Sequence, residues 1–94
     1  MKYIKFNPEP LPSIDEKHYL KLDINKYSTA LDNMDLPLVG KCHPNYILNK
    51  IHSEVSLCNY LYDDHESVMI FLFSLEDLCE YCIDQECNIC WDLS

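Results

Sequence analysis

Four cysteines stand close together in the segment CEYCIDQECNIC, residues 79–90, where they could carry chemistry. They form two C-x2-C pairs separated by four residues, a C-x2-C-x4-C-x2-C pattern. Such pairs can supply the thiolates of a structural zinc site or the two thiols of a redox site. They can also fill a small core, because free cysteine behaves as a small buried hydrophobe. The three interpretations predict a metalloprotein, a thiol enzyme, or a protein whose function lies elsewhere.

The residues around the cysteines favour the core interpretation. Four intervening residues leave little chain to fold back around one ion, and neither pair has a neighbouring glycine to ease a tight turn. Cys79 and Cys82 fall on the apolar face of a predicted helix, where acidic neighbours disfavour a reactive thiolate. Cys87 shares one face of the predicted last strand with Trp91, and Cys90 falls on the other face. We expect no metal and no cofactor, and a structural zinc module remains an alternative.

No other group of residues predicts catalysis. Cys42 and His43 place a nucleophile beside a base, but adjacent residues of an extended segment point to opposite faces, and no third orienting group is evident. His52 falls at the edge of an apolar helix face. The segment DDHE, residues 63–66, lacks the glycine turn of a calcium loop and predicts a solvated turn. The single glycine, Gly40, leaves no phosphate-binding glycine loop. The sequence therefore predicts that the protein is not an enzyme.

Charge is distributed unevenly along the chain. The formal net charge is −9, from 16 acidic residues and 7 basic ones, all of which are lysines. Residues 51–94 contain ten acidic residues and no lysine or arginine. A field of one sign repels phosphate backbones and favours basic partners, and without arginine the chain lacks a bidentate donor for phosphate or base edges. We expect a basic protein partner, with no direct binding to nucleic acid and no membrane contact.

The acidic residues of the carboxyl-terminal half are the candidate partner-binding residues. In a helix that begins at Leu75, the positive end of the helix dipole would favour Glu76 and Asp77. Glu80 and Asp84 need another explanation, because they form like-charge pairs at i, i+4 spacing. They lie either on a solvated face or on a surface that meets a basic partner, and we adopt the second interpretation. The candidate residues are Asp63, Asp64, Glu66, Glu76, Asp77, Glu80 and Asp84.

The hydrophobic pattern predicts the strands that position these residues. Strands are expected near 2–6, before a proline-rich connector, and near 18–25, where apolar and polar residues alternate. The closing segment near 87–93 alternates in the same way. The run VMIFLF, near 68–73, is β-branched and aromatic and predicts a buried strand, with a buried helix as the alternative.

Two helices complete the predicted fold. Helical spacing and a proline in the first turn predict a helix near 44–62. Ser74 is a suitable N-cap for a second helix near 75–85. Residues 27–41 remain undetermined, and the pattern there suggests one helical turn around Ala30 followed by a loop through Pro37 and Gly40. The sequence as a whole predicts a single small α+β domain over residues 1–94 with a mainly antiparallel sheet.

Size, charge and targeting signals together predict a function class. The amino terminus lacks the apolar stretch of a signal peptide, and the longest apolar run has six residues against the roughly 20 of a membrane helix, so we expect a cytoplasmic protein. It would be a small acidic inhibitor that binds and blocks a basic, nucleic-acid-binding protein. An immunity protein, or antitoxin, that neutralises a nuclease toxin fits best by size and charge. The alternative inhibitor is a phage-type nucleic-acid mimic that blocks a restriction or CRISPR complex.

Overall fold

The computed structural model describes residues 2–9, 19–61 and 63–93. The elements follow in the order β1 (Tyr3–Glu9), β2 (Leu20–Asp23), α1 (Ile24–Asn33), β3 (Gly40–Cys42), α2 (Pro44–Leu61), α3 (His65–Asp84) and β4 (Asn88–Leu93). The strands form one antiparallel sheet in the order β2-β1-β4-β3. Helix α3 packs on β1, β2 and β4, and α2 packs along α3. The predicted α+β class with an antiparallel sheet is therefore confirmed.

Alternation along the strands separates a buried face of the sheet from a partly exposed face. In β1, Ile4, Phe6 and Pro8 are buried, and the residues between them are only half-buried. Their partners across the sheet include Leu22 in β2 and Ile89 in β4, both buried. The core therefore lies between this face and the helices. In the part of the chain that the structure describes, no helix combines the length and apolarity needed to cross a membrane.

β1 is longer than the strand predicted near 2–6, because it continues through Pro8 to Glu9. The sequence predicted that Pro8 belongs to a polyproline connector together with Pro10 and Pro12. Pro10 and Pro12 lie outside the described residues. Among the residues that the structure describes, Pro8 pairs with Ile89 of β4, so the strand continues through the proline on this side.

The strand predicted near 18–25 is shorter, since β2 ends at Asp23 and a helix follows at once. The Asp23 carboxylate accepts a hydrogen bond from the Asn25 backbone N–H at 2.9 Å and caps α1. The undetermined segment 27–41 contains the rest of α1, a loop and the start of β3. His18, at the beginning of the predicted strand, lies outside the described residues.

The strand predicted near 68–73 is wrong, because the run VMIFLF lies inside α3. The helix begins at His65, after the N-cap residue Asp64, rather than after Ser74. Aromatic and β-branched content is a context-dependent preference, and here helical packing against the sheet overrides it. The helix ends at Asp84, close to the predicted end near 85. The helix predicted near 44–62 and the strand near 87–93 are confirmed as α2 and β4, while Tyr62 lies outside the described residues.

The only glycine in the sequence, Gly40, lies opposite Trp91 in the pairing of β3 with β4. A Cβ atom at residue 40 would stand 2.5 Å from the indole ring, so the close approach of this ring requires glycine. The Trp91 indole N–H donates to the Pro37 carbonyl at 2.7 Å. The ring also stacks on Phe6 with centroids 5.5 Å apart. These contacts fix the loop before β3 against the sheet.

α1 and α3 end in the same way, with a residue in the left-handed conformation that is not glycine. Asp35 has φ 59° and Glu86 has φ 54°. After α3, the Cys87 N–H donates to the Cys82 carbonyl at 2.9 Å and the Glu86 N–H donates to the Ile83 carbonyl at 3.0 Å. These bonds define a Schellman motif, whose usual apolar contact would here join Cys82 and Cys87.

Replacing Glu86 with glycine should raise the free energy of unfolding by about 0.5–1 kcal/mol. The left-handed conformation costs residues other than glycine roughly 1–2 kcal/mol. Glycine avoids this cost, but its greater conformational freedom in the unfolded chain offsets part of the stabilisation. Urea denaturation measures the change. Glu86→Gln separates the effect of charge, and Gln85→Gly, where φ is −89°, should be destabilising. Equal effects of glycine at 85 and 86 would contradict the argument.

Candidate functional site

Three of the four clustered cysteines are buried, as predicted for the core interpretation. Cys79 and Cys82 are fully buried on the inward face of α3, and Cys87 is 8% exposed. The Cys87 Sγ lies 3.6 Å from the Cys82 carbonyl oxygen. Cys82 and Cys87 therefore occupy the two apolar positions of the Schellman motif that ends α3. This placement explains their spacing without any chemical role.

Cys90 differs from the other three because it lies on the opposite face of β4, where it is half-buried. Burial and a hydrogen bond to the Glu9 carboxylate raise the pKa of Cys90 to about 11. The same hydrogen bond, together with Lys41, lowers the pKa of Glu9. The Lys41 Nζ lies 3.2 Å from Glu9 Oε1. Cys90 thus belongs to a small polar group on the exposed face of the sheet, and its predicted position on the opposite face of the last strand from Trp91 is confirmed.

The arrangement of these sulfur atoms does not suit zinc. Cys79 and Cys82 lie on the inward face of α3, whereas Cys90 lies on the half-buried face of β4, so the four thiols are not directed at one point as a tetrahedral zinc site requires. Over residues 2–9, 19–61 and 63–93, no three His, Cys, Asp or Glu side chains are grouped closely enough to hold a metal ion. Burial raises the pKa of Cys79, and it raises that of Cys82 to about 12. Both remain neutral thiols near pH 7, and neutral thiols are poor nucleophiles.

Thiol labelling of the folded protein should be slow at every cysteine. At pH 8 we expect a thiol reagent to reach only Cys42 and Cys90, the two half-buried cysteines among six, and all six after unfolding. A pKa raised from 9.0 to about 11 leaves Cys90 with roughly a hundredfold less thiolate, so its rate should climb as the pH rises toward 11. Mass spectrometry locates the labelled residues. Labelling of the clustered thiols only after a zinc chelator is added would instead support the zinc module.

The Cys42–His43 pair is not arranged for nucleophilic catalysis. His43 lies just before α2, and its Nδ1 accepts a hydrogen bond from the Asn45 backbone N–H at 3.1 Å. This bond satisfies one of the free N–H groups at the start of the helix. Burial raises the pKa of the Cys42 thiol. The structure therefore gives His43 a capping role and leaves Cys42 neutral.

The acidic residues at the start of α3 stabilise the helix. The Asp64 carboxylate accepts from the Ser67 N–H at 3.5 Å, and Glu66 stands in the first turn. Negative charge is favoured at this end of the helix dipole. Asp63 is exposed in the turn before the helix. The charges of Asp64 and Glu66 therefore have a structural explanation within this chain.

Glu76 and Asp77 lie in the middle of α3, not in its first turn, so the dipole explanation that the sequence suggested for them is wrong. Glu76 turns toward α2, where its Oε2 lies 3.3 Å from His52 Nε2. Asp77 is exposed, as are Glu80 and Asp84 nearer the helix end. The pairing of His52 with Glu76 depends on the antiparallel packing of α2 and α3. Because the sequence predicted a strand near 68–73, it did not predict this packing.

One exposed face of α3 combines acidic and large apolar residues. Ile70 is 67% exposed and Phe73 is 48% exposed. At 100° per residue they share an arc of about 80° with acidic residues that lie before Ile70 and after Phe73 along the helix axis. We call this face the outer stripe of α3. It consists of Glu66, Ile70, Phe73, Asp77, Glu80 and Asp84.

Five of the described lysines contact residues outside the outer stripe. Lys41 pairs with Glu9 on the exposed face of the sheet. In residues 2–9, 19–61 and 63–93, no lysine forms an ion pair with Asp77, Glu80 or Asp84. Four ammonium groups instead lie 4.5–5.5 Å from tyrosine ring centroids: Lys5 over Tyr19, Lys21 over Tyr3, Lys26 over Tyr27 and Lys50 over Tyr46.

Comparison of the chain with protein-family models, with curated proteins and with solved structures gives no match.

Proposed function

We propose that this protein is a cytosolic inhibitor that acts by stoichiometric binding, with the outer stripe of α3 docking on a basic surface of a partner protein. The observation that carries the proposal is the exposure of Asp77, Glu80 and Asp84 without a lysine partner among the described residues. The partner class that fits is a nuclease toxin, and the protein would be its immunity protein.

The energetics of α3 support a role for these carboxylates outside the free monomer. Glu76–Glu80 and Glu80–Asp84 are like-charge pairs at i, i+4, each costing roughly 0.2–0.5 kcal/mol. Asp84 also stands at the negative end of the helix dipole. A partner that brings lysine or arginine side chains to this face removes both penalties.

Inhibition of a toxin also requires rapid capture, and the charge distribution favours it. Residues 51–94 contain ten acidic residues and no lysine or arginine, and the outer stripe brings four of these carboxylates onto one face of α3. Complementary fields raise association rates above the range of about 10⁵–10⁶ M⁻¹s⁻¹ that is typical of neutral partners. A nuclease binds phosphate backbones through basic residues, and the same residues can bind carboxylates.

The proposal is tested by capture followed by an activity assay. The wild-type chain and a triple variant, Asp77→Lys, Glu80→Lys and Asp84→Lys, are immobilised and exposed to lysate of the native host at two salt concentrations. We expect the wild type alone to retain a basic protein, more strongly at low salt, and the purified chain to inhibit the nuclease activity of that protein at a 1:1 ratio. Equal retention by both chains, or retention without inhibition, would contradict the proposal.

The genes beside the coding sequence distinguish the two inhibitor classes. A toxin gene immediately upstream supports the immunity protein. A phage operon supports the nucleic-acid mimic, whose target would be a restriction or CRISPR complex.

A further inference from the structure

Ile70 and Phe73 lie between Glu66 and Asp77 along the outer stripe. Helix α3 has ample buried surface on its opposite side, yet these two large apolar side chains are 67% and 48% exposed. Full burial of such a side chain stabilises a protein by roughly 1.5–3 kcal/mol. Because Ile70 and Phe73 are exposed, the free protein lacks much of this stabilisation at both positions. Adjacent exposed apolar residues bordered by charged ones are typical of an interaction surface.

We infer that Ile70 and Phe73 form the apolar centre of the partner-binding face, an inference that rests on the proposed function. The matching surface of the partner presents apolar side chains between lysines or arginines, as on one face of a cationic amphipathic helix. Phe73 is the expected anchor, because aromatic residues near the centre of an interface carry a large part of the binding energy.

The charges around the two apolar residues identify the chemistry of the partner. Glu66 precedes Ile70 by four residues, and Asp77 follows Phe73 by four, so each lies one helical turn away on the same face. Glu80 continues the same face after Asp77. A second copy of the chain would bring its own carboxylates against these, and an anionic lipid surface would be repelled in the same way. A basic protein surface avoids both penalties.

The apolar centre also separates two modes of inhibition. A pure nucleic-acid mimic needs only carboxylates at the positions of phosphates. A face with Ile70 and Phe73 at its centre gains affinity from desolvation and uses the charged rim for steering and orientation. The partner contact should therefore keep much of its affinity at a salt concentration that screens the rim.

Two defined peptides test the inference on the full-length chain. The first is a 20-residue helical peptide with leucines along one face between lysines and arginines. The second has the same charges, with every leucine replaced by glutamine. Binding of each labelled peptide is measured by fluorescence anisotropy at low and high salt, and amide chemical shifts in NMR spectra locate the binding face.

The chain offers a matched pair of variants. Phe73→Ala removes a side chain from the outer stripe, and Leu57→Ala removes one of similar exposure, 46%, from α2. Leu57 lies about 140° around α2 from His52, the residue that contacts α3, so it points away from the stripe. Thermal melts check that both variants fold.

We expect the wild-type chain to bind the leucine peptide at least tenfold more tightly than the glutamine peptide, with shifts centred on residues 70–80. Phe73→Ala should lose at least tenfold in affinity for the leucine peptide, and Leu57→Ala should stay within twofold of the wild type. Equal, salt-sensitive binding of both peptides that is lost in Glu80→Lys would overturn this inference and leave the proposed function standing. Binding of neither peptide would contradict both. Self-association of the wild-type chain that Phe73→Ala abolishes would identify the face as a dimer contact instead.

Discussion

Replacing Phe71 with alanine should lower the free energy of unfolding by about 3–5 kcal/mol, whereas the same change at Phe73 should alter it by less than about 0.5 kcal/mol. Phe71 is 2% exposed and packs on Tyr27 with ring centroids 5.0 Å apart. Its removal leaves a cavity between α1 and α3. Phe73 stands on the outer stripe, where truncation exposes no new cavity.

The two phenylalanines report directly on the structure of residues 68–73. On a helix they lie about 200° apart, one facing inward and one outward. On a strand, residues 71 and 73 would share a face, and both alanine variants would lose similar stability. Similar losses would therefore contradict a helix over residues 68–73. Urea denaturation monitored by circular dichroism measures both values.

Phe71→Ala could remove most of the stability of a domain of this size, so a milder variant is needed. Phe71→Leu keeps most of the side-chain volume and should cost less than about 1.5 kcal/mol. Each 1 kcal/mol corresponds to a shift in Tm of roughly 4–8 °C for a domain of 60–100 residues, so even this change is measurable. Phe73→Leu, the matched control, should leave the Tm within about 2 °C of the wild type.

The sequence predicts a helix or strand correctly where the residues of that element themselves contain the pattern that specifies it. α2 was predictable because Pro44 and a regular apolar spacing both lie within its own residues. The run at 68–73 was not, because it is apolar on every side and its period carries no information. The N-cap Asp64 was the missing local signal, since it stands directly before the helix. β3 has three residues and is defined by its pairing with β4, which no local pattern contains.

The same limits apply to the candidate site. The acidic residues were found from charge alone, because their spacing is visible in the sequence. Ile70 and Phe73 were missed because a predicted strand buried them. Extending the helix back to Asp64 would have aligned them with Asp77 and Glu80 at i, i+3 and i, i+4 spacing. The partner of Glu76 could not be predicted, since His52 reaches it only through the packing of α2 on α3.

Charge reversal on the outer stripe should act in opposite directions on stability and on binding. Glu80→Lys replaces two like-charge repulsions with attractions and should raise the stability of the free protein by a few tenths of a kcal/mol for each pair. Asp84→Lys removes one repulsion and places a cation at the carboxyl end of α3, where the dipole favours it by roughly 0.3–1 kcal/mol. Thermal melts of the free chains measure this first effect.

The complex should respond the other way. Against the basic partner captured by the wild-type chain, both variants should associate more slowly and with a weaker dependence on salt. A carboxylate that is desolvated in the interface should cost about 2–5 kcal/mol when reversed, mainly through faster dissociation. Binding kinetics at two salt concentrations separate the two contributions. Asp92→Lys is the control for binding, because it changes the net charge equally from the opposite side of the sheet.

The pair of effects distinguishes a docking face from a solvated face. A solvated face predicts the gain in stability without the loss of binding, because removal of the helix repulsions does not require a partner. If the affinity of Glu80→Lys and Asp84→Lys stays within about twofold of the wild type, the interface lies elsewhere, and Asp63, Asp64 and Glu66 are the next residues to reverse. Loss of affinity in the stripe variants with no change in Asp92→Lys requires direct contact with α3. Equal losses in all three variants would reduce the role of the acidic residues to their net charge.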